Sequence, residues 1–347
     1  MFDVAIIGAG VAGLTVGQQL RQAGYEVVVV EKSRGVGGRV ATRRLHDTRA
    51  DHGLRYLEEK GEFLQGLVKI LCDRQILQLW TDTIYQFSPD SQITSNCYVA
   101  PEGMSAVAKF LAKGLEIWLN HRVESISLIN QDCWQLNFAA INDELPESLL
   151  AKAVVVAIPA PQALMLLEPL VSQEVLGKLR AIDFAPCITV MAGYSSSFQV
   201  DRPEKAILFS QNDDLAWIGL DSSKRLNSEA PVFVIQSSAK FAQLYLDAQD
   251  LQPAARELLA SAAKSFIPWL DTPEFFQVHR WRYAFPSRPL GEMFLDAQTS
   301  LPLVCCGDWC GGNLVESALQ SGLSTSEKIN SQLQNLPLPG TKFFNSL

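Results

Sequence analysis

Apolar positions in this chain come as short unbroken runs, as strict alternation and as helical stripes. Val4–Ile7 is an unbroken run and predicts a buried strand; Val27–Val30 predicts a second, ending on Glu31. Between them a helical stretch runs to Gly24, a natural C-cap. Ser105–Lys113 is helical and stops at Gly114, after which Leu115, Ile117 and Leu119 alternate as a strand. Val123–Leu128 and Trp134–Phe138 predict a hairpin turning at Asn130-Gln131-Asp132, and Ala153–Ile158 is an apolar strand returning to the main sheet. From about 166 to 294 strand-like runs dominate: Ile188–Tyr194, Ala206–Phe209, Leu215–Leu220 and Val232–Gln236, with one helix over about Pro253–Phe266. Leu303–Cys306 is a last short strand, in which Cys305 and Cys306 point to opposite faces. Asn313 then reads as an N-cap with Glu316 three residues later, a capping box. The helix it opens runs from Leu314 to about Leu333, with apolar or small residues at 315, 318, 322 and 329.

Composition bounds the function. The 347 residues are 48% hydrophobic and 19% charged, which gives a well-buried core and roughly two domains. A net charge of −8 argues against a nucleic-acid or membrane-surface binder. One stretch departs from that balance: Lys32, Arg34, Arg39, Arg43, Arg44, Arg49 and Arg55 stand against only Asp47 and Asp51. Phe2-Asp3 leads straight into the first apolar run, so no secretory leader is expected. The most apolar long stretch, Ala153–Val171, holds Pro159, Pro161, Pro169 and Glu168, so no membrane span is expected. Seven scattered cysteines suit a reducing cytosol, and a cytoplasmic monomer is expected. With four histidines, none near Cys305–Cys310, no metal site is expected.

The chemistry begins at the first strand. Gly8, Gly10 and Gly13 form GxGxxG between that strand and the helix. Gly8 permits the tight turn, Gly10 lets a pyrophosphate approach the backbone, and Gly13 lets helix and strand pack closely. The helix N-terminus offers free N–H groups and positive dipole to the phosphates. Glu31, about 20 residues on, is where a carboxylate takes a ribose hydroxyl. The set predicts dinucleotide binding without separating NAD from FAD. A second glycine-rich turn, Lys32-Ser33-Arg34-Gly35-Val36-Gly37-Gly38-Arg39, favours FAD, whose extended form needs a second loop over its pyrophosphate and ribityl chain.

The run from Glu31 to Arg43, EKSRGVGGRVATR, resembles the FAD-dependent amine oxidase superfamily and, within it, the renalases. Asp51-His52-Gly53-Leu54-Arg55-Tyr56 is similar to that family's DLGAQY. Tyr98–Ser105 with His121-Arg122-Val123, His279–Pro286, and Cys306-Gly307-Asp308-Trp309-Cys310 with Val315-Glu316 follow in family order. The resemblance implies an α/β fold: a Rossmann-like FAD-binding domain of the p-hydroxybenzoate-hydroxylase type, plus an antiparallel-sheet α+β substrate domain. The FAD domain would comprise 1–70, 98–165 and 295–347, and the substrate (cap) domain 71–97 and 166–294. The cofactor residues it implies are Gly8, Gly10, Ala12, Gly13, Glu31, Lys32, Gly38, Arg39, Arg55, Tyr56, Val123, Asp308 and Val315. Among them Asp308 would hold a hydroxyl or phosphate oxygen of FAD. The last helix would aim its N-terminus at the flavin's pyrimidine edge. FAD is expected to be non-covalent, with Cys310 near it but unlinked. Two departures bear on the substrate: Leu54-Arg55 replaces Ala-Gln, and no counterpart is identified for the lysine that many amine oxidases hold near the flavin.

Glu274–Ala284 predicts a strand whose period puts Gln277, His279, Trp281 and Tyr283 on one face and Val278, Arg280 and Arg282 on the other. His279, Trp281 and Tyr283 are the candidate substrate-binding residues, able to hold a planar heterocycle or to serve as hydrogen-bonded core. No side chain is assigned a catalytic role; the chemistry is the flavin's. The expected function is a renalase-like oxidase passing hydride from a dihydropyridine, such as a 2- or 6-dihydro isomer of NAD(P)H, to flavin N5. O2 would then be reduced to hydrogen peroxide. The alternatives are oxidation of an amine or another small molecule, and a non-catalytic FAD-binding carrier or regulatory protein.

Overall fold

The computed structural model describes residues 1–87, 91–129, 132–139, 146–312 and 315–347. In its first large sheet, Phe2–Ile7 lies between Val27–Glu31 and Ser148–Val156, with Glu116–Leu119 beyond the one and Leu303–Cys305 beyond the other. All four of these pairings are parallel. The central strand is apolar on both faces because both are covered: Val4 and Ile6 enter one core, Ala5 and Ile7 the other. Cys305 and Cys306 separate in the same way between the two cores. Val123–Ile129 and Cys133–Phe138 pair antiparallel and attach to Ser148–Val156. The expected turn residues Asn130 and Gln131 lie outside the described residues.

On one face of this sheet, helix Val11–Ala23 packs against helix Val315–Gln332. The two approach closely at Gly322, where a Cβ would come within 2.8 Å of the Ala12 carbonyl oxygen. Asn313 and Leu314, expected as N-cap and first turn, lie outside the described residues. The capping box expected between Asn313 and Glu316 lies outside the described residues with them. Among the described residues the Glu316 carboxylate accepts the backbone N–H groups of Leu64 at 2.7 Å and Phe63 at 3.4 Å. It thereby caps helix Glu62–Asp73, whose own N-cap is Gly61. The reason is steric as well as electrostatic: a Cβ on Gly61 would collide with the Glu316 carboxylate.

The second large sheet runs Phe275–Arg288, Asp183–Gly193, Val232–Ser237, Leu215–Leu220, Ala206–Phe209, Gln78–Phe87, Ser91–Val99. Its pairings are antiparallel except Ala206–Phe209 with Gln78–Phe87, which is parallel. Helix Gln252–Ser265 covers one face through Leu258 and Leu259 against Ile188, Val190 and Ile235. The other face meets the hairpin Thr42–Leu45 and Thr48–Asp51, where Leu45 and Ala50 pack on Met191 and Val234. Among the described residues, no helix is long and apolar enough to cross a membrane.

A buried ionic cluster pins this contact. Asp51 and Asp221 are fully enclosed, and Arg225 bridges them at 2.7 and 2.6 Å. Lys224 adds a contact of 2.8 Å to Asp221. Asp51 also accepts from the Thr42 hydroxyl at 2.7 Å and the Met104 N–H at 2.8 Å. Two carboxylates thus meet two cations, with hydrogen bonds filling the remaining lone pairs, the condition under which buried charge is tolerated. Burial alone would raise the Asp51 carboxyl; Lys224, Arg225 and the two hydrogen bonds reverse that and hold it below its ordinary value.

Two stability predictions follow from these contacts. Glu316→Ala leaves the Leu64 and Phe63 N–H groups buried without an acceptor and should cost about 1–3 kcal/mol, read as a lower urea midpoint with Glu316→Gln closer to wild type. For Asp51, whose folded pKa is depressed, the stabilisation is complete above the unfolded value of about 3.9 and is lost as pH falls through the folded one. Asp51→Asn should therefore destabilise at pH 7 by about 3–5 kcal/mol and flatten the acid limb of a denaturation series between pH 5 and pH 2.

Candidate active site

The parallel strands all point one way, so the segments following Ile7, Glu31, Val156 and Cys305 lie along one edge of the sheet. Gly8 turns there at φ +106°, its N–H donating to the Val30 carbonyl at 2.8 Å. A Cβ on Gly13 would strike the Gly8 carbonyl, whereas a Cβ on Gly10 would meet nothing within 4 Å. The turn is therefore sealed against protein at Gly13 and open at Gly10, the side a pyrophosphate needs. The second glycine turn rests on the first: the Gly37 N–H donates to the Ala9 carbonyl at 2.8 Å. A Cβ on Gly38 would lie 3.8 Å from the Gly10 Cα.

Glu31 ties both turns together, accepting from the Ala9 N–H at 3.0 Å and the Ser33 N–H at 2.8 Å. Its carbonyl accepts the His121 N–H at 2.9 Å, which sets Val123 at the start of its strand beside the same site. Arg39 reaches from the second turn to Asp308, Nη2 to Oδ1 at 2.6 Å, and to the Ala284 carbonyl at 3.2 Å. Asp308 follows Gly307, whose N–H donates to the Ser321 hydroxyl at 3.0 Å. Ala12 faces Gly322, and Val315 opens the described part of the last helix. Lys32 is exposed, without a partner among the described residues. The open face at Gly10, the stacked glycine turns and the Arg39–Asp308 pair fit a dinucleotide. Cys305, Cys306 and Cys310 are buried, and burial pushes all three thiols up. As neutral thiols they pack rather than react.

The segment after Asp51 carries the site from cofactor loop to cap. The Leu54 N–H donates to the Arg39 carbonyl at 2.9 Å, and a Cβ on Gly53 would lie 3.3 Å from Trp281. His279 and Trp281 do share a face, with ring centroids 4.4 Å apart, and both meet His52, at 4.9 and 5.1 Å. Trp281 Nε1 donates to the His52 carbonyl at 2.9 Å. Arg280 and Arg282 point the other way, to the carbonyls of Ala248 and Leu246. Tyr283 packs on Phe184 instead, at 5.6 Å. The period breaks because Cys187 pairs with Trp281 but Ala185 with Phe285, so Arg282–Ala284 face Pro186 alone.

Arg43 Nη2 lies 3.3 Å from His279 Nδ1. Burial first, then neighbouring cations, lower both imidazoles: His279 to about 4 through Arg43 and Arg280, and His52 to about 3 through His279 and Arg43. Both are neutral at physiological pH. Arg55 is turned to the cap, its Nε 2.6 Å from Gln236 Oε1 and its guanidinium 4.8 Å from the Trp217 ring centre. Tyr56 lies tilted beside Trp217, ring centroids 5.7 Å apart, and burial pushes its hydroxyl up to about 12. Sequence reasoning passed over His52, Arg43 and Gln236. A glutamine closing the apolar strand Val232–Gln236 was the one signal available, since a polar group there needs a partner.

The description "Flavin containing amine oxidoreductase" matches residues 54–330, and that of an NAD(P)-binding Rossmann-like domain matches residues 6–70. An L-amino-acid oxidase of Crotalus adamanteus is 42% identical over 66 residues, 19% of this chain and 13% of the relative's length. A Drosophila melanogaster protein described as "Possible lysine-specific histone demethylase 1" is 48% identical over 50 residues, 14% of this chain and 6% of the relative. In structure, a putrescine oxidase bound to putrescine superposes with a TM-score of 0.72 at 15% identity, covering 95% of this chain and 99% of the other. A cyclohexylamine oxidase of Brevibacterium oxydans superposes with a TM-score of 0.68 at 14% identity, covering 96% and 99%. With the family description spanning most of its length, the chain belongs to the flavin-containing amine oxidoreductases, a family of FAD-dependent oxidoreductases.

Proposed function

We propose that this protein is an oxidase of dihydropyridines, renalase-like in its chemistry, accepting hydride from a 2- or 6-dihydro isomer of NAD(P)H. The observation that carries the reading is the candidate substrate face: His279, Trp281 and His52 in mutual contact, with both imidazoles held neutral by burial and by Arg43. Flat rings suit a planar heterocycle. Neutral rings beside an arginine make a poor setting for a protonated amine, which like charge disfavours.

FAD, when bound, would supply a two-electron acceptor: the dihydropyridine would give up one hydride and be left as a pyridinium, and O2 with a solvent proton would take the electrons as hydrogen peroxide. Gly10, Gly38 and the N-terminus of helix Val11–Ala23 would hold its pyrophosphate, Glu31 its adenosine ribose, and Asp308 with Arg39 its linking chain, without a covalent bond from Cys310. Trp281 and His279 orient the ring, and Trp281 is itself fixed through the His52 carbonyl. No side chain has to remove a proton, because loss of hydride alone produces an aromatic cation. Seven free cysteines suit a reducing, cytoplasmic setting.

Anaerobic mixing of the FAD-loaded protein with 6-dihydro-NAD, 2-dihydro-NAD and simple amines should bleach the flavin with the dihydropyridines alone; bleaching by amines alone would overturn the reading. The rate of that bleaching should be level from pH 5.5 to pH 9, since the two imidazoles lose their protons near 4 and 3. His279→Gln should slow reduction by less than about tenfold, whereas loss of a general base costs on the order of 10²–10⁴; stopped-flow absorbance separates the two.

A further inference from the structure

The interface between the two sheets treats its buried cations in two ways. Lys224 and Arg225 are matched by Asp51 and Asp221. Arg55 belongs to the same layer, with Lys224 Nζ donating to its carbonyl at 2.8 Å, yet among the described residues no carboxylate pairs with its guanidinium. Among the described residues its side-chain hydrogen bond runs from Nε to Gln236 Oε1 at 2.6 Å. Gln236 is itself fixed, its Nε2 donating to the Gly53 carbonyl at 2.9 Å, so the amide orientation is set and the guanidinium with it. The guanidinium carbon also lies over the Trp217 ring, 4.8 Å from its centre. The Nη1 and Nη2 groups, which carry most of the donors, have no acceptor among the described residues and are not sealed off by protein. Burial pushes the Arg55 pKa down from its ordinary value, the mark of a cation short of compensation. A strut between the domains needs no charge, since Gln236 and Trp217 would hold a neutral amide as well.

Gly53, two residues earlier, leaves no room for a side chain between the Arg39 carbonyl and Trp281. Gln236 ties the Arg55 fork to that point, holding the Gly53 carbonyl with Nε2 and Arg55 Nε with Oε1. We infer that Arg55 is the oxyanion-recognition residue of the substrate chamber, and that the molecule oxidised here carries a carboxylate or phosphate taken by the open N–H groups of its guanidinium. This rests on the chamber proposed above but not on which bond is oxidised there.

The test compares matched pairs within one preparation, so that the active fraction cancels. The phosphate pair is 6-dihydronicotinamide mononucleotide against its uncharged riboside; the carboxylate pair is L-phenylalanine against phenethylamine. In wild-type FAD-loaded protein, the second-order rate constant for anaerobic flavin reduction should favour the anionic member of one pair. Arg55→Gln should shrink that ratio by about 10- to 100-fold, and Arg55→Lys, which keeps charge but not the fork, by less. An unchanged ratio in Arg55→Gln, or no preference in wild type, overturns the inference. If only the phenylalanine pair bleaches the flavin, Arg55 keeps its role while the dihydropyridine reading fails. If nothing bleaches it, titration of flavin absorbance with benzoate and with inorganic phosphate decides: weaker binding in Arg55→Gln supports the assignment, and equal binding in the two proteins overturns it.

Discussion

The structure depends on one constraint: the parallel strands Phe2–Ile7, Val27–Glu31, Ser148–Val156 and Leu303–Cys305 must all end at the same edge. Whatever follows each strand is delivered to that edge regardless of its distance in sequence. The first supplies the glycine turn, the second Glu31 and the second glycine turn, the last Gly307-Asp308. The Arg39–Asp308 pair is a direct consequence, joining opposite ends of the chain at 2.6 Å. Close packing then fixes the turn itself, because Gly13 and Gly322 admit the neighbouring backbone where any side chain would not.

The second sheet is held to this edge by charge as much as by apolar contact. Leu45 and Ala50 on Met191 and Val234 give a small apolar patch, and the Asp51–Asp221–Lys224–Arg225 cluster gives it a direction. A buried cluster of this kind contributes little net stability against an apolar replacement. What it does here is fix one docking of the cap, since its members come from both sides of the contact. The docking in turn sets Trp281 against Gly53 and His279 against His52.

The N-terminal half of the site is legible in sequence because its signals are local: strand, glycines, helix, strand and acid fall within Val4–Glu31. The elements around Leu303–Cys306 and the last helix are legible by pattern, and the opposed faces of Cys305 and Cys306 follow from strand period alone. What is not legible is long-range. Nothing near Glu316 tells that its carboxylate serves Leu64, and its spacing from Asn313 points to a different partner. Nothing in strand period tells that Pro186 opposes three residues, which turns Tyr283 toward Phe184. The partners of Asp51 lie at Asp221, Lys224 and Arg225, a pairing that only the docked cap creates. Arg55 stood out as a departure from the family's glutamine, but its direction, toward Gln236, is a property of the fold.

Family membership leaves the substrate open, since putrescine and cyclohexylamine oxidases share this architecture at 15% and 14% identity. The choice falls to the charge of the chamber, and here the physics runs in one direction. Burial, and after it Arg43 and Arg280, suppress the protonation of His279; burial, and after it His279 and Arg43, suppress that of His52. Neither imidazole can then exchange a proton near neutral pH, while Arg55 has no carboxylate partner among the described residues. On the proposed reading, a face with cations beside neutral imidazoles is badly matched to a protonated amine, which must lose a proton before it can be oxidised. The same face suits the proposed substrate, which brings its own negative charge and gives up hydride without a base.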